Sequence, residues 1–385
     1  MGRTFRIVFL LSLLVLVSTQ FGWAQGTNVF DQGEGTPAWV SDFFKQDSEW
    51  SFDRFDPGES GVWDNDYFAQ PEFLAAANGG GGGSGGGPPL KPDGTIDLEA
   101  ISKSMDNPLG SLWILFTQND TITLRGPPFQ KTQVMNVFTL MPIMPVPLTK
   151  DWILVNRPIM SFINVARPDT SAINQGSFPG LFPGGGPGFS GLPSSIPTTR
   201  VTEMGDFIMW HALAPRELPD FLNGKFLWGV GPSIIYPTAT HSTLGSQKWS
   251  AGPGILGMYM GQGVKVGGLV QHWVSFAGQS DRPDVSKSNI QPIVYFDLGN
   301  LWQIGTSPNI LVNWEASSGN KLTLPIGAAV NKTLLLFGKL PVRFEGAVYW
   351  SAVKPDGVGQ DWLFRFNVIP VIPNPLKAMG IDAIF

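Results

Sequence analysis

Residues 361–369 read DWLFRFNVI, and that nonapeptide decides the fold. Trp362, Phe364, Phe366 and Val368 alternate with Asp361, Arg365 and Asn367. Successive residues of a β-strand point to opposite faces, so the segment predicts a strand with one apolar and one polar side. The same reading extends outward. In Pro341–Ser351, Val342, Phe344, Val348 and Trp350 oppose Arg343, Glu345, Tyr349 and Ser351. In Asn309–Glu315, Ile310, Val312 and Trp314 oppose Asn309, Asn313 and Glu315. In Asn289–Asp297, Ile290, Val294 and Phe296 oppose Asn289, Gln291, Tyr295 and Asp297. In Val264–Ala277, Val264, Val266, Val270, Val274 and Phe276 oppose Lys265, Gln271 and Ser275.

A soluble sandwich produces the same alternation, so three further features choose between them. The segments run to about ten residues or more, the length a tilted membrane strand needs, where globular strands are nearer five or six. Trp113, Trp152, Trp228, Trp249, Trp314, Trp350 and Trp362 lie near segment ends, as an interfacial girdle requires. An export signal precedes them, and a closed barrel is the one sheet that leaves no unpaired edge in lipid. Only the five tyrosines fit poorly with a girdle. The expectation is an all-β, antiparallel up-and-down transmembrane β-barrel of about twelve strands. Its strands fall near 110–124, 132–146, 152–165, 201–213, 225–237, 248–260, 264–277, 287–297, 302–314, 320–330, 340–351 and 360–372. Odd-numbered links are polar or long, the Gly/Pro-rich 166–200 above all. Even-numbered links are mostly tight, although 214–224 and 331–339 are longer.

Composition narrows the function. The chain has 385 residues, a net charge of −5, no cysteine and 14% charged residues. A soluble domain carries about a quarter. Lack of cysteine removes disulfide frameworks, thiolate nucleophiles and thiolate metal sites. Three histidines, His211, His241 and His272, leave little for a histidine metal cage. Without a basic stripe, no nucleic-acid partner is expected. Residues 1–24 read as a cleaved secretory signal peptide: Arg3 and Arg6, then the apolar run Ile7–Val17, then Gly22 and Ala24 at the cleavage site. Residues 25–75 hold 11 acidic side chains against Lys45 and Arg54, a net −9, interleaved with aromatics. The run Gly79–Gly87 reads as a flexible linker. The predicted organisation is therefore signal peptide 1–24, acidic and linker segment 25–98, barrel 99–372 and tail 373–385. The acidic segment reads as a loosely ordered tail rather than a plug.

Ordered motifs bring in a resemblance. WGVGPSIIYPTAT (228–240), LGSQKWSAGPG (244–254), SFAG (275–278), DRPDVS (281–286) and NWEA (313–316) follow one another. NPLGSLWILFTQNDT (107–121) lies upstream and DWLFRFNV (361–368) downstream. The chain resembles, over roughly residues 99–372, the bacterial outer-membrane barrel family called MetA-pathway-of-phenol-degradation proteins, some of whose members carry the label neuromedin U. The resemblance implies a Gram-negative outer-membrane barrel connected with uptake of small compounds, aromatic ones among them, and brings no catalytic residues with it. The acidic segment, the glycine run, the 166–200 loop and the tail after Ile372 lie outside it.

Other chemistry reads weakly. Gly252, Gly254 and Gly257 match G-x-G-x-x-G, but Pro253 and the strand pattern deny the helix a dinucleotide site needs. His241 and Ser242 are adjacent in a loop, and His272 and Ser275 are split across strand faces, so no hydrolase site is expected. Asp281, Asp284 and Glu315 lack the spacing of a calcium loop. No catalytic, cofactor or metal site follows, and the chain reads as a non-enzyme. The stronger signal is charge on the polar faces. Lys265, Gln291, Arg343, Glu345 and Arg365, with Arg157 added on its charge, are the expected lumen-lining residues. A charge facing lipid at mid-depth would cost about 2–4 kcal/mol. Paired Arg/Glu rungs would rigidify a closed interior; excess arginine would attract anions. The expected function is an outer-membrane channel or transporter for passive diffusion of small solutes. A sealed structural or surface-interaction barrel is the alternative, and an outer-membrane lipid hydrolase a distant third. Expected partners are outer-membrane lipid, the barrel assembly machinery and small-molecule solutes, around a monomer.

Overall fold

The computed structural model describes Lys91, residues 95–107, Leu109, and residues 112–126, 132–168, 198–242, 244–338 and 340–372, with Leu376. The signal peptide, nearly all of the acidic and linker segment, most of the 166–200 loop and the tail beyond Ile372 apart from Leu376 lie outside the described residues. One helix, α1 (Leu98–Met105), precedes the strands. These are β1 (Trp113–Arg125), β2 (Gln133–Pro147), β3 (Trp152–Pro168), β4 (Thr198–Met204), β5 (Phe207–Pro215), β6 (Asp220–Phe221), β7 (Gly224–Tyr236) and β8 (Lys248–Met260). They continue with β9 (Val264–Gly278), β10 (Ser286–Gly299), β11 (Trp302–Thr306), β12 (Ile310–Asn313), β13 (Leu322–Leu336), β14 (Leu340–Val353) and β15 (Gly359–Ile372).

All pairings are antiparallel between strands adjacent around the wall, and β15 returns to β1, Ile372 opposite Trp113 and Arg365 opposite Asp120. The sheet closes into a twelve-strand barrel because β4, β5 and β6 share one position in the wall and β11 and β12 share another. β4 and β5 both run along β3, and β11 and β12 both lie between β10 and β13. The sequence predicted each of those positions as one continuous strand. Gly205 and Asp206 interrupt the first, and residues 307–309 interrupt the second. β13 is also longer than expected, which shortens the predicted 331–339 link to a turn around Phe337 and Gly338.

Burial is inverted relative to a soluble barrel. On β15, Trp362, Phe364 and Phe366 are exposed while Asp361, Arg365 and Asn367 are buried. On β14, Val348 and Trp350 face outward while Arg343, Glu345 and Tyr349 face in. On β9, Val266, Val270, Val274 and Phe276 stand outside and Lys265 and Gln271 inside. Trp152, Trp249, Trp302, Trp314, Trp350 and Trp362 stand at the surface, with Trp152 edge-on to Trp228 and Trp249 edge-on to Tyr236. An apolar outer wall with tryptophans toward its rims and a polar interior is what a barrel immersed in lipid requires.

At one end of the barrel most strands are joined by turns of two to four residues. Leu222–Asn223 and Asn300–Leu301 both have positive φ at each position, the mirror-image turn that matches strand twist. Phe337–Gly338 does the same between β13 and β14. No helix among the described residues is long and apolar enough to cross a membrane.

Candidate functional site: the occupied barrel interior

α1 lies inside the barrel at the short-turn end. Asp97 caps it, its side chain accepting from the Ala100 amide at 3.0 Å. Lys103 and Glu99 pair along its outer turn. Ile101 and Met105, one turn apart, join Leu109 and Leu112 in a cluster drawn from around the barrel. Ile114, Ile143, Ile153, Val155, Trp210, Leu227, Leu256, Met258, Leu269 and Ile369 belong to the same cluster. An apolar layer therefore surrounds α1 at the short-turn end. The alternation of the strands gave no hint of this plug, but Asp97, the Leu98/Ile101/Met105 spacing and Pro108 after the last turn are a helix signature readable in the sequence. Eight residues are too few for periodicity alone to reveal.

The plug is also held by charge. Asp106, just past the helix, has a side chain 4% exposed. Its carboxylate meets Lys265 Nζ at 2.6 Å and Arg343 Nη1 at 2.7 Å. Gln303 Nε2 donates to the same carboxylate at 3.2 Å and to Asp297 at 2.9 Å, and Asp297 in turn holds Lys265 at 2.9 Å. Arg343 Nη2 donates to the Ser102 carbonyl at 2.9 Å, and Ser102 Oγ lies 3.0 Å from Thr333 Oγ1. Two of the sequence-derived candidates thus hold the plug rather than an open pore.

The remaining candidates lie above that layer. Arg365 grips Asp120 with Nε and Nη2 at 2.8 and 2.9 Å, a bidentate pair buried in the wall. Glu345 accepts from Tyr295 at 2.7 Å, Asn367 at 2.8 Å and Asn331 at 3.4 Å. The expected Arg/Glu rungs are therefore not the pairs that form: both arginines are matched by aspartates, and the glutamate by neutral donors. Gln291 donates to Ser307 Oγ at 2.9 Å. Arg157 stands opposite Trp210, and among the described residues its one polar contact is Met141 Sδ at 3.3 Å. Across the barrel, Ser233 Oγ accepts from Gln271 and Trp273, both at 3.0 Å.

Gln291 borders a gap in the wall. Between Ile290 and Val294, β10 has no ladder partner on the β11–β12 side, and neither does β13 between Thr323 and Ala329. Pro292, Pro308 and Pro325 stand at this one height on three neighbouring strands. A proline has no amide to give a ladder, so the three together encode the break. The Ser307 backbone turns inward instead, its amide donating to Tyr349 Oη at 3.2 Å and its carbonyl accepting from Arg365 at 3.4 Å.

The weaker chemistry resolves into structure. Gly252, Gly254 and Gly257 lie within β8. His272 Nδ1 lies 2.9 Å from Ser288 Oγ, which also accepts from Trp314 at 2.9 Å, while Ser275 bonds Asp284 instead. His211 Nδ1 lies 2.7 Å from Asn156 Oδ1. Asp284 is paired with Lys248. Among the described residues no group of three or more His, Asp or Glu gathers to hold a metal.

No protein-family model matches the chain, and no curated protein is similar to it at a significant level. Solved structures are similar in shape. An outer membrane channel from Pseudomonas putida F1 aligns with a TM-score of 0.43 at 12% identity, covering 68% of this chain and 94% of that one. Outer membrane phospholipase A from Escherichia coli aligns at 0.33 and 11%, covering 71% and 98%. A Pseudomonas aeruginosa FadL homologue aligns at 0.31 and 9%, covering 69% and 76%.

Proposed function

We propose that this protein is a monomeric outer-membrane channel for small solutes, aromatic or hydrophobic compounds among them, kept closed at its short-turn end by α1. The observation that carries the reading is the plug's attachment. α1 is bound to a polar, charge-lined wall through Asp106, Lys265 and Arg343, contacts that water can replace when the helix leaves. The inverted burial and the export signal support the location, in outer-membrane lipid after insertion by the barrel assembly machinery. The resemblance to the phenol-degradation barrel family supports the solute class. The break at residues 307–309 supports its apolar members, because it interrupts the ladder between interior and lipid.

Liposome swelling with small sugars and aromatic acids, on full-length protein and on a form lacking residues 25–109, tests the proposal. Faster swelling with the truncated form is expected. No swelling from either form, with heat-modifiable migration proving a folded barrel, would refute the channel. That result would favour the second reading, a sealed structural barrel, which the apolar packing of Ile101, Met105, Leu109 and Leu112 supports.

A further inference from the structure

The interior arginines are not equivalent. Arg343 meets Asp106 and Arg365 meets Asp120, each at hydrogen-bond distance. Arg157, projecting from β3 into the same interior, meets no carboxylate among the described residues. Its nearest polar neighbour is a thioether sulfur, a weak acceptor, and its Nε is buried with no hydrogen-bond partner. Its register partner Trp210 is 2% exposed, and the indole N–H there is likewise buried and unpartnered. Met141 is buried beside it, opposite Phe116 on β1. Arg157 is half-buried, and a guanidinium drawn partly out of water without an anion is costly, so proteins remove such charges or match them. Among the described residues no carboxylate supplies the matching charge, which leaves the place to a bound anion.

We propose that Arg157 anchors a binding site in the barrel interior for a monocarboxylate with an apolar body. The guanidinium would take the carboxylate through two parallel N–H···O bonds, as it does in Arg365–Asp120. Met141, Phe116 and Trp210 supply apolar contact for the remainder. Val155 and Trp210 belong to the cluster that packs around α1, so the site lies at the upper face of the plug. It deepens the channel reading, on which it rests, by naming the solute chemistry.

Isothermal titration of benzoate into detergent-solubilised full-length protein tests it, with benzamide as the neutral isostere and chloride as the simple anion. Benzoate is expected to bind. Arg157→Gln should weaken it roughly tenfold or more, a factor equal to about 1.4 kcal/mol. Arg157→Met should abolish the binding and also raise the thermal midpoint of the barrel, because it removes an unmatched charge. Equal affinity for benzamide would overturn the proposal, as would equal affinity for chloride or undiminished benzoate binding by a folded Arg157→Gln protein. Binding is read without flux, so the two readings fail separately. A conducting protein that takes no benzoate refutes the carboxylate site alone. Arg157-dependent benzoate binding supports the site even where no form conducts.

Discussion

Replacing Asp106 by Asn should convert a closed barrel into one that opens intermittently. The substitution keeps the shape of the side chain and removes its charge. Lys265 would retain Asp297, but Arg343 would be left with the neutral acceptors Ser102 and Thr333. Removing one member of a buried ion pair costs about 3–5 kcal/mol. Because Lys265 keeps a partner, the lower end applies, and about 3 kcal/mol shifts a two-state equilibrium by roughly 100-fold. The apolar contacts of Ile101, Met105, Leu109 and Leu112 survive, each contributing about 1.5–3 kcal/mol when fully buried. The plug should therefore still dock for most of the time. Single-channel recording in planar bilayers should show brief openings about two orders of magnitude more frequent than in the parent, the factor just worked. Heat-modifiable migration should be unchanged, since residue 106 belongs to no strand. Indistinguishable traces from a folded Asp106→Asn protein would refute the reasoning, and so would loss of the folded barrel.

Further substitutions examine the wall. Asp120→Asn or Arg365→Gln alone should lower stability to urea by about 3–5 kcal/mol, whereas the double variant should lose less than the sum, because no unmatched charge remains; additive losses would contradict the pairing. Phe364→Arg, on the outer face of β15, should cost about 2–4 kcal/mol in refolding into bilayers if that face meets lipid at mid-depth. A neutral effect would remove the residue from the lipid-facing band. Gly254→Ala should destabilise by about 1–3 kcal/mol, because its Cβ would fall 2.4 Å from the buried Trp210 indole nitrogen; tryptophan fluorescence should report the displaced ring. Tyr349→Phe should cost about 1 kcal/mol by freeing the Ser307 amide, and hydrogen exchange of that amide should accelerate.

The wall was legible because a membrane barrel repeats one rule along every strand. Alternation put Trp362, Phe364 and Phe366 on one face and Arg365 and Asn367 on the other, and strand length, tryptophan placement and the export signal set the apolar face toward lipid. The two broken strands were not legible. Pro308 between Trp302 and Trp314 was visible, but only the register shows that Pro292 and Pro325 stand beside it. Proline disrupts a ladder most where its neighbours also lack donors.

Pairing between side chains was the least legible part. The polar faces named Arg343, Glu345 and Arg365 as interior residues and suggested Arg/Glu rungs between them. In the barrel, Asp120 reaches Arg365 because β1 closes on β15, 245 residues apart in the chain. Asp106 reaches Arg343 only because α1 turns back into the lumen. The sequence by itself determined the class of fold, the strands and the face each side chain presents, because those follow from local alternation and length. Which charges neutralise one another, where the ladder of the wall is interrupted, and that Arg157 meets no carboxylate among the described residues were decided by the tertiary structure alone, because electrostatic contacts depend on distances that only closure of the barrel and docking of its plug create.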